Sequence, residues 1–594
     1  MEEQPQKQWG TTKPISTTLP TTAELKLTDE LVSCLKARDN FETPEGIQKR
    51  KEVLAHVTNV TKEFITRVGR RQKLSEEAIS KLGGKVVTFG SFALGVYGPS
   101  SDIDTCIVAP RNVRREDFFD IWPQLFRDMS DKSQISELVE VPEAHVPIVK
   151  MAYRGISLDL IFGSLPSQPS IPEDLDLSNV SILRGLDDVG GRTVNGPRVV
   201  KELLALVPEH KSFRYALRTI KLWSNQRGIY GAVFGYPGGI AWAIMVARIA
   251  QLFPNACGAT IVCKFFNLMK SWTFPRPVML KDVSKTNPLG LPEWNPTQNR
   301  NDRAHLMPVI TPAYPAMCST HLITKTTKEV IMAEFERGVD IVTRIQDGSA
   351  TWDALFERHT FFTKDHKFYL SVVATSLTKD ADEKFKGWVQ SKISKLAKGI
   401  EESDFDLKRK ARPYMKAFDR AHRCANQEQI ERVKQGVMDY WIRKADLPES
   451  GEPSTEDGST IIYTSTFYIG LTVPEGSRSF DISHPATTFK EIVESNEVNK
   501  AFDREKMFCR IIHTKDVNLP DDVFVEGEAK PTKPPKDKER KKKKGRTNGD
   551  SKSRKRHIDE TEPEVRNSRP VKALQQSYPR HEASACSHTD SVLI

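Results

Sequence analysis

The sequence predicts an α+β protein of several domains: a compact α/β unit, a helical middle, a second unit in which strands and helices alternate, and a basic tail that does not fold. Three observations predict it. Between residues 85 and 162, and again beyond 361, apolar residues fall in short alternating runs, the period of strands with one covered face. Before and between these stretches they recur every third or fourth residue, as helices require. Beyond Glu526 the chain becomes "KPTKPPKDKERKKKKGRTNGDSKSRKRH", which buries too little apolar surface to offset the entropy of folding.

Taken in order, residues 1–20 are polar and rich in Thr and Pro, and are expected to be loose and disordered. Residues 21–65 carry helical spacing in "LTDELVSCLK" and "RKEVLAHVTNVTKEFITRV" and form a segment that joins the central domain. The α/β unit is placed at 66–210. Gly83 and Gly84 stop a helix, "KVVTFG" begins a strand, "EDFFDIWPQLFRDM" is helical, and "VPIVKMAYRGISLDLIF" reads as two strands turned at Tyr153-Arg154-Gly155. The helical domain spans 211–360. There "FRYALRTIKLWSNQRGIY" sets Phe213, Leu217, Ile220 and Trp223 on one face and Arg214, Arg218 and Lys221 on the other, a stripe whose default reading is a solvated helix face. From 361 to 525 come strand "KFYLSVVATSL", one amphipathic helix "EKFKGWVQSKISKLAKGI", strands within "IIYTSTFYIGLTV", helix "TTFKEIVESN" and strand "MFCRIIHTKDV", split by a polar stretch from about 402 to 458. The tail occupies 526–594.

The 594 residues exceed what one core organises and suggest about three or four domains. Eight cysteines stand singly, without CxxC pairs or matching histidines, which argues for a reducing compartment and against a zinc site or disulfide framework. No signal peptide is expected in "MEEQPQKQWGTTKP". The most apolar stretch, "GGIAWAIMVARIAQLF", is interrupted by Arg248 and too short for a membrane span, so it reads as a buried helix of a soluble, intracellular protein. Net charge is +10, yet the thirteen Lys and Arg between Lys533 and Arg556, set against Asp537, Glu539 and Asp550, account for all of it. The basic excess is a property of the tail.

The chemistry centres on "FGSFALGVYGPSSDIDTCIVAP". "DIDTCIV" has the apolar and β-branched content of a strand, so Asp102 and Asp104 project from one face. Carboxylates this close repel unless a cation lies between them, and hard divalent cations prefer oxygen ligands. The alternative is an exposed acidic strand. A third acid, Asp159, lies opposite Ile156, Leu158 and Leu160 in "ISLDLIF", and the Gly90-Ser91 turn, opening a helix after a strand, offers backbone N–H groups to a phosphate. Lys150, Lys201 and Lys221 are available to neutralise a triphosphate. Two metals about 3.5 to 4 Å apart, held by three aspartates, suit nucleotidyl transfer to a hydroxyl. No Walker A pattern is present, which argues against a P-loop enzyme.

Gly-Ser, a ten-residue spacer, Asp-Ile-Asp and a distant third aspartate resemble the signature of the DNA polymerase β-like nucleotidyltransferase superfamily. With "IKLWSNQRGIYGAVFGYPGGIAWAIMVARIAQLFPNA" and "DRAHLMPVITPAYPAMCSTH", the chain from about Trp9 to Val525 is similar to the eukaryotic nuclear poly(A) polymerases. The resemblance implies a nucleotidyltransferase catalytic domain at 66–210, a helical central domain and an RRM-like RNA-binding domain. It implies template-independent addition of AMP from ATP to RNA 3′ ends, with Mg2+ or Mn2+, two ions per site, held by Asp102, Asp104 and Asp159. It further implies nucleotide contacts at Phe89, Gly90, Ser91, Ser101, Ile103, Lys150, Lys221, Tyr230, Gly239 and Ile240, and an adenine neighbour at Thr324.

One departure stands out: relatives usually have asparagine two residues after the tyrosine, and this chain has Ala232. That substitution favours the alternative of a catalytically weak RNA-binding or scaffold paralogue, while the intact aspartates argue against it; within enzymes, the runner-up is a terminal transferase using another nucleotide. Phe368, Tyr369 and Trp388 are expected in the core of the RRM-like domain rather than as base-stacking platforms. The clusters Lys541, Lys542, Lys543, Lys544 and Arg554, Lys555, Arg556 read as a nuclear localisation signal or an RNA-phosphate patch. The expected partners are ATP, an RNA 3′ end and the mRNA 3′-end processing complex, with no membrane, for a nuclear protein monomeric on its own.

Overall fold

In a computed structural model the described residues are 8–532, without 145, 285, 404–409, 444–457, 473–480 and 497–498. The tail clusters at 541–544 and 554–556 therefore lie outside the described residues. Helix α1 (Thr22–Lys36) starts at a capping box between Thr21 and Glu24, and α2 (Pro44–Arg71) starts behind the Thr43 hydroxyl with proline in its first turn. Helix α3 (Glu76–Leu82) ends at Gly83, whose φ of +65° suits glycine.

The first sheet follows, with β1 (Lys85–Thr88), α4 (Gly90–Leu94), β2 (Ile103–Pro110), α5 (Arg115–Met129), β3 (Ile135–Val141), β4 (Ile148–Tyr153) and β5 (Ile156–Leu165). Its strand order is β1-β2-β5-β4-β3, with β2 and β5 parallel and the other pairs antiparallel. Phe64 of α2 and Phe118 and Trp122 of α5 cover one face against Ile103, Leu158 and Phe162. Val194 of α6 (Asp188–Ala205) packs on the other, against Cys106, Val108 and Ile161. Strand β3 is absent from the sequence reading because "ISELVEV" is an edge strand with no fully buried residue. Its alternation carries almost no apolar signal.

The middle of the chain is α7 (His210–Gln226), α8 (Gly239–Leu252), α9 (Gly258–Ser271), α10 (Arg300–Arg303) and α11 (Lys325–Gln346). Trp223, Trp242, Phe265, Phe266 and Phe335 pack mostly edge to face, the geometry that ring quadrupoles favour. Helix α8 is buried almost throughout, as its apolar sequence predicts. Its Arg248 donates to Thr12 Oγ1 at 2.6 Å, and Ile15 N–H donates to the Leu252 carbonyl at 2.8 Å. The described part of the segment expected to be loose is therefore tied to α8, because a buried guanidinium requires acceptors. Among the described residues no helix is long and apolar enough to cross a membrane.

The second sheet is built from β6 (Phe368–Ser376), α12 (Lys379–Gln390), α13 (Ile393–Glu402), β7 (Lys410–Pro413), β8 (Phe418–Cys424), α14 (Gln427–Lys434), β9 (Thr460–Thr472), α15 (Ser483–Val493) and β10 (Met507–Lys515). Strand order is β10-β6-β9-β7, with β8 also pairing β9, all antiparallel. The single helix expected over "EKFKGWVQSKISKLAKGI" breaks at Ser391-Lys392, where the Ser391 hydroxyl donates to the Trp388 carbonyl at 2.7 Å. The stretch in which several strands are expected forms one long strand, Thr460–Thr472. Strands β7 and β8 and helix α14 occupy the stretch read as merely polar. Arg420 and His422 of β8 point inward, paired with Asp522 and Thr464, and so disguise a buried strand as a polar one. Tyr369 is buried, Trp388 packs on the core under the Lys392 ammonium, and Phe368 stacks on His513, so none of the three forms an open stacking platform.

Candidate active site

Strands β2 and β5 run parallel in a register that sets Asp104 directly beside Asp159, and Asp159 beside Lys150 of β4. Residues in one row of a sheet project to one face, so the register alone brings the carboxylates together. Asp102 lies one residue before β2 begins. The three carboxylates each offer an oxygen within 4.8 Å of the others. Asp102 and Asp104, but not Asp159, line a cavity of about 460 Å³ together with Phe89, Gly90 and Ser91, with Ser101, and with Lys221, Tyr230, Gly239 and Ile240.

The walls are glycines for a steric reason. A Cβ on Gly90, at φ +60°, would lie 1.8 Å from Asp104 Oδ2, and one on Gly239 would lie 2.7 Å from the Tyr230 hydroxyl. Gly196 stands likewise against the Phe89 ring. The first N–H groups of α4 and α8 have no partner within their helices and border this space, where the helix ends favour anions.

Burial, then the Asp102 and Asp159 charges, push the Asp104 carboxyl up to about 7, with Lys221 opposing. Asp159 is raised mainly by burial, against the pull of Lys150. Burial and the neighbouring Arg218 lower the Lys221 ammonium. Clustered carboxylates of this kind are stabilised in their ionised form by a hard cation, so the donor set fits a divalent metal. Metal ions can be held by Asp102, Asp104 and Asp159, and the fit rests on this all-oxygen set.

Several expected site residues stand elsewhere. The Ile103 side chain is fully buried in the core below the sheet, so only its backbone adjoins the carboxylates. Lys150 is exposed beside Asp159, outside the cavity lining. Lys201 is paired with Asp176 at 2.6 Å and contributes nothing to the cavity. Thr324 caps α11 and donates to Glu401 Oε1 at 2.8 Å, a structural bond between α11 and α13. The α7 stripe is not a solvated face. Arg218 is buried on backbone carbonyls and Arg214 donates to the Leu94 carbonyl at 3.1 Å. Sequence reasoning also missed Asn195, Gly196, Val199 and Val200 of α6 and the loop residue Thr311, all of which line the cavity. The Asn195 Oδ1 is buried without a partner among the described residues, a signal visible only in three dimensions.

Comparison with known proteins matches the poly(A) polymerase nucleotidyltransferase domain at residues 10–207, the poly(A) polymerase central domain at 212–358 and the poly(A) polymerase predicted RNA binding domain at 360–533. Poly(A) polymerase PAPa of Candida albicans is 41% identical over 539 residues, covering 88% of this chain and 94% of its own. Poly(A) polymerase pla1 of Schizosaccharomyces pombe is 40% identical over 549 residues, covering 88% and 95%. Among solved structures, Cid1 in complex with its short product ApU aligns with 12% identity and a TM-score of 0.38, over 57% of this chain and 100% of that one. Identity sustained along nearly the whole length of such relatives, through three consecutive domains, shows that the chain belongs to the poly(A) polymerase family of nucleotidyltransferases.

Proposed function

We propose that this nucleotidyltransferase adds AMP from ATP to the 3′ hydroxyl of RNA without a template, using two divalent ions, Mg2+ with Mn2+ as substitute, held by Asp102, Asp104 and Asp159. The observation that carries the reading is a cluster of three carboxylates, two of which line the glycine-walled, Lys221-bearing cavity. The 3′ hydroxyl gives up its proton, with Asp159 as the acceptor, and its oxygen forms a bond to the α-phosphorus while the bond from that phosphorus to the bridging β-phosphate oxygen breaks and pyrophosphate leaves. The Gly90-Ser91 backbone and the Lys221 ammonium hold the triphosphate, and the Asn195 Oδ1 offers an acceptor to the nucleotide. Bound divalent ions would lower the pKa of the attacking hydroxyl and offset charge on the leaving group. The RNA-binding domain holds the primer by charge and shape, since its aromatics are consumed in packing.

The site of action is the nucleus, within the 3′-end processing complex, with the tail lysines as the import signal and a monomer as the working unit. An oligo(A) primer, ATP and Mg2+ with the purified full chain should give tails. No extension, or equal extension with UTP and CTP, would sink the reading. Ala232 opens the 3-10 turn Ala232–Phe234 behind Tyr230 and is not among the cavity-lining residues, so ATP selection has to rest on the groups that do line it.

A further inference from the structure

From Leu94, the last residue of α4, a loop runs towards Asp102, and every carbonyl of residues 94–99 accepts from a cationic side chain. Leu94 accepts from Arg214 Nε at 3.1 Å, Gly95 from Arg218 Nη2 at 3.1 Å, and Val96 from Lys221 Nζ at 3.5 Å. Tyr97 accepts from Arg218 Nη1 at 2.9 Å, while Gly98 and Pro99 share Arg50 Nη2 at 3.2 and 2.9 Å. Loop carbonyls without strand or helix partners need donors, but at a surface water supplies them. Here Arg50 and Arg218 are 1% and 7% exposed. Among the described residues their guanidiniums meet a single carboxylate, Glu42, on Arg50 at 2.6 Å. Arg218 also donates to the Asn40 carbonyl and lies 4.5 Å from the Phe41 ring centroid.

Burying two guanidiniums with so little opposite charge is costly, and stability alone does not call for it. The loop joins the Gly90-Ser91 turn to Asp102, and Ser101 Oγ accepts the Gly98 N–H at 3.0 Å at its far end. Its path sets the span between the phosphate turn and the first carboxylate. Its path is in turn set by planar forks on α7 and α2. The same loop holds Lys221, whose ammonium borders the cavity.

We propose that Arg218, with Arg50 beside it, is a positioning residue for adenylate transfer, acting through the carbonyls of loop 94–99 on the distance from Gly90-Ser91 to Asp102. Lysine keeps the charge but cannot reproduce two diverging donors in a plane. A displacement of about 1 Å at a reacting group costs up to about 100-fold in rate.

The inference rests on the adenylate-transfer reading, and the experiment separates the two. Wild-type protein that fails to extend oligo(A) with ATP sinks that reading, whereas the ratio of variant to wild type tests the positioning role. Arg218→Lys should lower kcat by about 10- to 100-fold, with ATP KM within about threefold and the thermal midpoint nearly unchanged. Wild-type kcat in Arg218→Lys, or a raised KM at unchanged kcat, would overturn the proposal, because either result assigns Arg218 a purely electrostatic role. Should Arg218→Lys not fold, Arg214→Met decides, since Arg214 is only half-buried and holds one carbonyl of the same loop. It should lose several-fold in kcat at constant KM, and full activity would overturn the proposal.

Discussion

Gly90 is the position where backbone and chemistry are least separable, since φ is +60° and the space a side chain needs is filled by the Asp104 carboxylate. Gly90→Ala should cost about 1 kcal/mol of stability from the backbone alone and about 100-fold in kcat, because the methyl has to displace the Asp104 carboxylate, a proposed metal ligand. Primer extension against thermal melting would show the two losses separately. Asp104→Asn should have the opposite signature. It removes one of three crowded carboxylates, so the metal-free protein should melt higher while transfer falls by about 1,000-fold or more. Thr324 tests a different expectation. Its hydroxyl satisfies Glu401, so Thr324→Val should destabilise by about 1–3 kcal/mol while leaving ATP KM within about twofold. A large KM increase in a well-folded protein would instead place Thr324 near the adenine.

At the scale of elements, α12 carries an acid that the fold tolerates poorly. Asp382 is mostly buried, its Oδ1 has no partner among the described residues, and burial followed by the Asp419 charge pushes its carboxyl up to about 7, with Lys386 opposing. A carboxyl raised in the folded state binds its proton more tightly there than in the unfolded chain. Its protonated form is therefore favoured at low pH, and stability falls as pH rises from about 4 to 7. Melting of the wild type should decline across that window relative to Asp382→Asn, in which the gap should widen with pH; parallel melting curves would show that Asp382 is solvated. Strands β8 and β9 illustrate the same principle from the other side, because buried Arg420 and His422 are tolerated where Asp522 and Thr464 receive them.

At the scale of the molecule, charge is segregated. The chain through residue 532 is close to neutral, at +2, and residues 533–594 carry the other +8 of the net +10, concentrated between Lys533 and Arg556. Phosphate contacts release counterions, so removing 533–594 should raise the RNA KM most at low salt and flatten its salt dependence, with kcat at saturating primer within about twofold. A tail fused to a fluorescent reporter should accumulate in the nucleus, and uniform distribution would count against import by Lys541–Lys544 and Arg554–Arg556. The three-part order of the chain was legible in its periodicity, because strongly apolar helices such as α8 and half-covered strands such as β5 keep their period wherever they pack. Edge strand β3, the break between α12 and α13 and the polar-cored β8 were not, because their sequences obey tertiary neighbours rather than a local period.

The sequence by itself determined the acidic triad, the Gly-Ser turn and the class of chemistry, since paired carboxylates in an apolar strand constrain what can bind them. Only the tertiary structure decided which cations serve that chemistry. Lys221, Lys201, Arg214 and Arg218 are alike in sequence, but one borders the cavity, one pairs with Asp176 and two hold the loop behind it. The physical reason is that a charge takes its role from the acceptors around it, and these acceptors are brought together only by folding.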